Sequence, residues 1–145
     1  MKNTRILLPG GAGLVGQNLV ARLKARGYTD IVVLDKHSSN LAILAQMHPE
    51  ITTVQCDLSR TGEWLGYFEG ANSVVMLQAQ IGGLNYEEFE ANNIVATKLI
   101  LQAVKDYQVP YLVHVSSSVV ESVADDFYTR TKIAQEQMVL ESGID

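Results

Sequence analysis

The sequence predicts a doubly wound α/β fold, a single parallel sheet covered by helices on both faces, and three observations carry this. Apolar runs of strand length alternate with amphipathic stretches of helix length along the chain. Most of the runs are apolar throughout rather than alternating, as expected of strands buried on both faces of a parallel sheet. The resulting order, β-α-β-α-β-α-β-α-β-α with right-handed crossovers, leads to helices on both sides and a strand order of 3-2-1-4-5. A chain of 145 residues is long enough to bury one core of this kind, so residues 1–145 are expected to form a single domain.

Each element has its own signal. The first strand is predicted over residues 5–8, stopped by Pro9-Gly10. A helix follows over 14–26, with Val15, Leu19 and Leu23 on one face and Gly27 just past its end. Ile31-Val32-Val33-Leu34 reads as a buried strand ending at Asp35. Residues 40–47 form a short helix stopped by His48-Pro49, and 52–55 form a third strand leading into Cys56-Asp57-Leu58. Residues 63–68 supply one or two helical turns, and 74–77 the fourth strand. Asn85 begins a long helix, with Glu88 spaced to complete a capping box. That helix runs to about Tyr107, and Pro110 forbids its continuation. The fifth strand covers 111–115. The last helix starts at Asp125-Asp126 and ends at Gly143, with a sixth strand expected to begin at Ile144-Asp145. Order is expected to be weakest over 80–85 and 118–125.

Composition narrows the function. No stretch approaches the roughly 18 consecutive apolar residues of a membrane span. The N-terminal run Ile6-Leu7-Leu8 is too short for a secretion signal, which points to a cytoplasmic protein. A net charge of −5 without a Lys/Arg cluster argues against nucleic-acid binding, because little is available to neutralise phosphates. Cys56 is the only cysteine, so no disulfide framework exists, and His37, His48 and His114 are too scattered for a metal site. Cys56 reads as an inert thiol and Trp64 as a packing residue. Leu99, Ile100, Ala103, Val104 and Tyr107 form a stripe that reads mostly as core.

Gly10, Gly13 and Gly16 stand in G-x-x-G-x-x-G spacing between the first strand and the first helix. There Gly10 permits the tight turn, Gly13 lets the backbone approach a pyrophosphate, and Gly16 lets the helix pack closely. The helix N-terminus offers free N–H groups to the anion. Asp35, closing the second strand, is placed to accept from ribose hydroxyls and to repel a 2′-phosphate, which favours NAD over NADP. Lys36 and His37 beside it act in the opposite sense. Asp57, after the third strand, is placed for the adenine edge.

Tyr128 and Lys132 stand at i and i+4, on one helical face. They open the helix that follows the fifth strand, whose end carries Ser116-Ser117-Ser118. Both groups therefore fall at the carboxyl edge of the sheet, where ligands of doubly wound folds bind. A serine, a tyrosine and a lysine beside a nicotinamide make a hydride-transfer site. The ammonium favours loss of the phenol proton, so that the phenolate can take a proton from an alcohol as hydride leaves.

Gly10/Gly13/Gly16, Asp35, Asp57-Leu58, Asn93 before Ile94-Val95-Ala96-Thr97, Ser116-Ser117 and Tyr128/Lys132 occur in this order over almost the whole chain. In this respect the sequence resembles the N-terminal, Rossmann-like part of an extended short-chain dehydrogenase/reductase, the group of NAD-dependent sugar-nucleotide epimerases and dehydratases. The resemblance implies that Ser117 is the catalytic hydroxyl, Tyr128 the acid/base and Lys132 the cation that holds the ribose. It also implies that Leu14, Val15, Lys36, Leu58, Leu77, Gln78, Ala79 and Asn93 lie around the cofactor. A homodimer through the long helix after Asn85 and the Tyr-Lys helix is a further implication.

The chain departs from the family pattern at several points. Pro9 replaces the usual Thr or Ser, and Met76, Gln78 and Gln80 replace a histidine and paired alanines. Val120-Glu121-Ser122 stands for Val-Tyr-Gly. The family's C-terminal substrate domain is absent, so the chain is expected to be a fragment or a minimal cofactor module with little turnover alone, because substrate orientation supplies much of an enzymatic rate. Epimerisation of a nucleotide sugar is the activity expected first. A carbonyl reductase or a binding module without turnover are the alternatives. A 4,6-dehydratase ranks lower, since Ser118-Val119 stands where that chemistry requires Asp-Glu.

Overall fold

In the computed structural model, which describes residues 4–145, five strands form one parallel sheet: β1 (Ile6–Pro9), β2 (Ile31–Asp35), β3 (Thr52–Gln55), β4 (Ser73–Met76) and β5 (Leu112–His114). Their order, β3-β2-β1-β4-β5, is the one expected from the sequence. The ladders are in register from Ile6↔Ile31 to Pro9↔Leu34 between β1 and β2, and from Val74↔Leu112 to Met76↔His114 between β4 and β5. The β1–β4 ladder is shorter, Ile6↔Ser73 and Leu7↔Val74. Pro9 has no N–H to donate across it. The Pro9 carbonyl still accepts from Leu77 N at 2.8 Å, which keeps the ends of the two central strands together.

Alternate residues of β1 and β2 feed two cores. Ile6, Leu8, Ile31 and Val33 pack under α1 (Leu14–Ala25) and α2 (Ser38–Met47), against Val20, Leu41 and Leu44. Leu7, Val32 and Leu34 face the other side, with Val74 and Met76 of β4. There they meet Trp64 and Phe68 of the 3₁₀ helix Glu63–Phe68, and Ile100 and Val104 of α4 (Ala96–Asp106). Leu7 and Leu8 are both fully buried, and each such side chain contributes about 1.5–3 kcal/mol by leaving water. Trp64 donates from Nε1 to Arg60 O at 2.8 Å and packs edge-on against Phe68, the packing role its sequence context suggests.

Element ends follow local chemistry. Asp126 caps α5 (Phe127–Glu141) by accepting from Thr129 N at 2.7 Å, and Gly143 closes that helix. Gly27 closes α1 with the paired bonds Gly27 N to Lys24 O and Tyr28 N to Leu23 O. Beyond α5, Asp145 O accepts from Leu112 N at 2.9 Å, so the last residues run beside β5.

Three expectations need correction. The capping box at Asn85 is not formed: its side chain makes no capping bond, and the Glu88 carboxylate lies over Gly83 instead. The long helix is not uniform, because α3 (Tyr86–Phe89) passes through a π-helical segment, Glu90–Val95, before α4. The buried face of α1 runs through Gly16 and Val20 rather than Val15, which is 58% exposed. The cause lies at Gly16, which sits directly on the backbone of Gly11 and so sets the rotation of the helix.

Candidate functional site

The carboxyl ends of β1, β2 and β4 open into a cavity of about 460 Å³. Gly10, Gly13, Leu14, Val15 and Gly16 form one wall. Asp35, Lys36, Cys56 and Leu58 form the second, and Leu77, Gln78, Ala79 and Gln80 the third. Gly10 has a φ of +75°, and a Cβ there would run into the backbone of Leu77 and Gln78, so the turn under the cavity requires glycine. Gly13 meets only Gly10 O within 4 Å, which leaves its face open to a ligand. As N-cap it brings no side chain, so no capping side chain competes for the first-turn N–H groups of α1. Leu14, 81% exposed, and Val15 supply apolar surface beside these donors. This cradle fits a dinucleotide pyrophosphate.

Asp35 is buried and anchors the loop. Its Oδ2 accepts from Ala12 N at 3.1 Å and its Oδ1 from His37 N at 3.0 Å. Each carboxylate oxygen can accept a second bond, so capacity remains for two ribose hydroxyls. Asp57 behaves differently from expectation. It does not line the cavity; its Oδ1 accepts from Ser59 Oγ at 2.6 Å and Ser59 N at 3.0 Å, and Arg60 lies 3.5 Å from Oδ2. The Ser59 hydroxyl, chiefly, holds this carboxyl below its ordinary range. Cys56 lines the cavity, but burial and then the Asp35 and Asp57 charges push its thiol up to about 12, which keeps it protonated and unreactive.

Asn93 is a second correction. It is fully buried, and its carboxamide is consumed: Oδ1 accepts from Gln80 N at 2.7 Å, while Nδ2 donates to Gln80 O at 3.1 Å and Thr131 Oγ1 at 3.0 Å. It lies off the cavity wall and ties the loop after β4 to the helix that carries Tyr128. Asn92, which the sequence reading passed over, lines the cavity and donates to Gln80 Oε1 at 2.9 Å. Both asparagines lie in the π segment, and their successive side chains grip the same residue, Gln80. A pair of adjacent asparagines was the available signal.

Ser117, Tyr128 and Lys132 stand beyond the cavity wall, at the end of β5 and on α5. The Ser117 Oγ accepts from Val119 N at 3.4 Å, at the start of the 3₁₀ helix Ser118–Glu121, which packs on α5. Tyr128 is half-buried. Lys132 is 2% exposed, and its Nζ reaches Val115 O at 3.5 Å and Gln135 Oε1. Burial, opposed by the nearby Glu136 charge, lowers its affinity for the proton.

His114, on β5 beneath α5, has no hydrogen-bond partner on either ring nitrogen. Burial, and then the Lys132 charge, depress it to about 4, with Glu136 opposing. Between the ordinary value near 6.5 and about 4 the unfolded chain binds a proton that the folded chain refuses. Stability should therefore fall as pH drops through that window. Thermal melts at stepped pH should show this slope, and His114→Phe should flatten it; an equal slope in both proteins would exclude His114 as the cause.

A model of the NAD dependent epimerase/dehydratase family matches residues 6–143. A curated relative, the 3 beta-hydroxysteroid dehydrogenase/Delta 5→4-isomerase of Mycobacterium tuberculosis, is 29% identical over 166 aligned positions, covering 97% of this chain and 44% of the relative. The human sterol-4-alpha-carboxylate 3-dehydrogenase, decarboxylating, is 28% identical, covering 94% of this chain and 39% of its own length. Thus the chain spans less than half the length of these relatives. Among solved structures, the UDP-glucuronic acid 4-epimerase of Bacillus cereus, in complex with NAD, superposes with a TM-score of 0.81 at 23% identity, over 96% of this chain and 52% of that one. WbmG of Bordetella bronchiseptica, in complex with NAD and UDP, gives 0.86 at 18% identity, over 99% and 51%.

Proposed function

Because the chain belongs to the NAD dependent epimerase/dehydratase family, we propose that it binds NAD at the carboxyl edge of its sheet and forms the hydride-transfer site of an oxidoreductase. The observation that carries this is the cavity that joins the open face of Gly13, the α1 N-terminus and Asp35 in one concave surface. Leu14, Val15 and Gly16 receive the pyrophosphate, Asp35 holds the adenosine ribose, and Gln78 and Ala79 wall the path toward α5. NAD held there would supply the hydride acceptor and donor. Tyr128 takes the proton of a secondary alcohol, Ser117 orients that hydroxyl, and the Lys132 ammonium stabilises the phenolate.

Asp35 tests the cofactor reading. Calorimetric titration should give tighter binding of NAD than of NADP, and Asp35→Ala should narrow the gap by removing both the ribose acceptor and the repulsive charge. Equal or tighter binding of NADP by the unaltered chain would overturn the assignment.

For the substrate, a nucleotide sugar and epimerisation are the first reading, supported by the family model that matches residues 6–143. The sterol dehydrogenases among the curated relatives favour a second, oxidation of a ring hydroxyl on an apolar substrate. Ile81, 71% exposed on the cavity rim, offers surface for it. Epimer formation without net reduction of NAD would support the first; stoichiometric reduction of NAD by a hydroxysteroid would support the second.

A further inference from the structure

Lys132 is a buried ammonium with no carboxylate within ion-pair distance among the described residues. A buried charge in that position must be solvated by neutral dipoles. Two oxygens do so, Gln135 Oε1 and, at 3.5 Å, Val115 O. We infer that Gln135 is the positioning residue of Lys132, a neutral amide held in one orientation by Thr97 so that it fixes the ammonium without neutralising it.

Hydrogen-bond directions leave one arrangement. Thr97 spends its only proton on Asn93 O, at 2.8 Å. Its oxygen can then only accept, and it receives Gln135 Nε2 at 3.0 Å. With Nε2 committed to Thr97, the other end of the amide, Oε1, faces Lys132. Gln135 and Thr97 are both fully buried, so no water competes for these bonds. Gln78 Nε2 meets the same Thr97 oxygen at 3.3 Å. The amide bridge thus runs from the α5 lysine to the wall of the cofactor cavity.

The residue type matters. A carboxylate at this position would pair with the ammonium and cancel the field that acts on Tyr128, one turn away. An amide anchors the cation and leaves its charge intact. The titratable groups around Lys132 are His114 on β5 and, on its own helix, Glu136 and Tyr128; the facing residues Asn93 and Thr97 are uncharged. The catalytic consequence rests on Lys132 serving the proposed hydride-transfer site, whereas the positioning itself is tested on the free chain.

The test follows the Lys132 side chain by NMR with pH in the 145-residue chain, without cofactor. Gln135→Glu is expected to move its midpoint up by about 1–3 pH units, as an adjacent opposite charge does. Gln135→Leu is expected to move it down, because the ammonium loses its main neutral acceptor. A residue that merely fills space would not produce shifts of opposite sign. Midpoints that stay put, or move the same way in both variants, would overturn the assignment. If Gln135→Leu does not fold, Gln135→Glu decides alone: a rise supports the proposal, and no rise overturns it. NAD titration of Gln135→Glu is a separate readout, so failure of the positioning role would not be confused with failure of the cofactor reading.

Discussion

Tyr128→Phe should slow hydride transfer by about two to four orders of magnitude, the range for losing a general acid–base group. The substitution removes one oxygen and keeps the ring that stands half-buried at the start of α5. The affinity for NAD should change little, since the phenol serves the substrate. Lys132→Met should behave differently, because it removes the buried ammonium one turn from Tyr128 that is proposed to hold the cofactor ribose, and both NAD binding and rate should fall. Steady-state kinetics on a protein that carries this domain with a substrate-binding part would measure both. A Tyr128→Phe protein with unimpaired turnover would end the catalytic reading and leave a module that binds NAD without chemistry.

Gly16→Ala is expected to lose NAD binding and to destabilise the fold together. A Cβ at Gly16 would stand inside the backbone of Gly11, which is not a flexible side-chain end that can swing away. The helix α1 must then retreat from the loop, and its N–H groups leave the phosphate position. Overpacking of this kind costs about 1–3 kcal/mol, sometimes more. In a domain of this size that corresponds to a fall in Tm of roughly 2–4 °C per kcal/mol. Gly66→Ala is the control, since nothing lies within 4 Å of a Cβ there and its melting temperature should hold or rise. Differential scanning calorimetry with and without NAD reads both effects, and a Gly16→Ala protein stabilised by NAD like the parent chain would contradict the packing argument.

The parts of the site legible in the sequence are those set by local spacing. Within the glycine triplet and within the Tyr128/Lys132 pair the residues lie a few positions apart, and Asp35 closes a strand, so the placement of each on its own element follows from helix and strand geometry alone. The protein partners of Asn93 and Asp57 were not legible, because residue identity says what a side chain can bond but not which partner is nearer. Asn93 found Gln80 and Thr131, 13 and 38 residues away, and Asp57 found Ser59. Asn92 and Gln135 carried no motif at all, and their roles exist only where the loop after β4, the π segment and α5 meet.

By itself the sequence determined the element order and the sheet topology. Those follow from hydrophobic period, from glycine and proline, and from the handedness of crossovers, all of which act along the chain. The tertiary structure alone decided which polar groups are spent on the protein and which remain for a ligand. The rotation of α1 about Gly16, the widened turn at Glu90–Val95 and the bonds that Thr97 distributes to Gln78 and Gln135 settle that allocation. Hydrogen-bonding capacity is finite, and a buried donor or acceptor takes the partner that packing brings within about 3 Å.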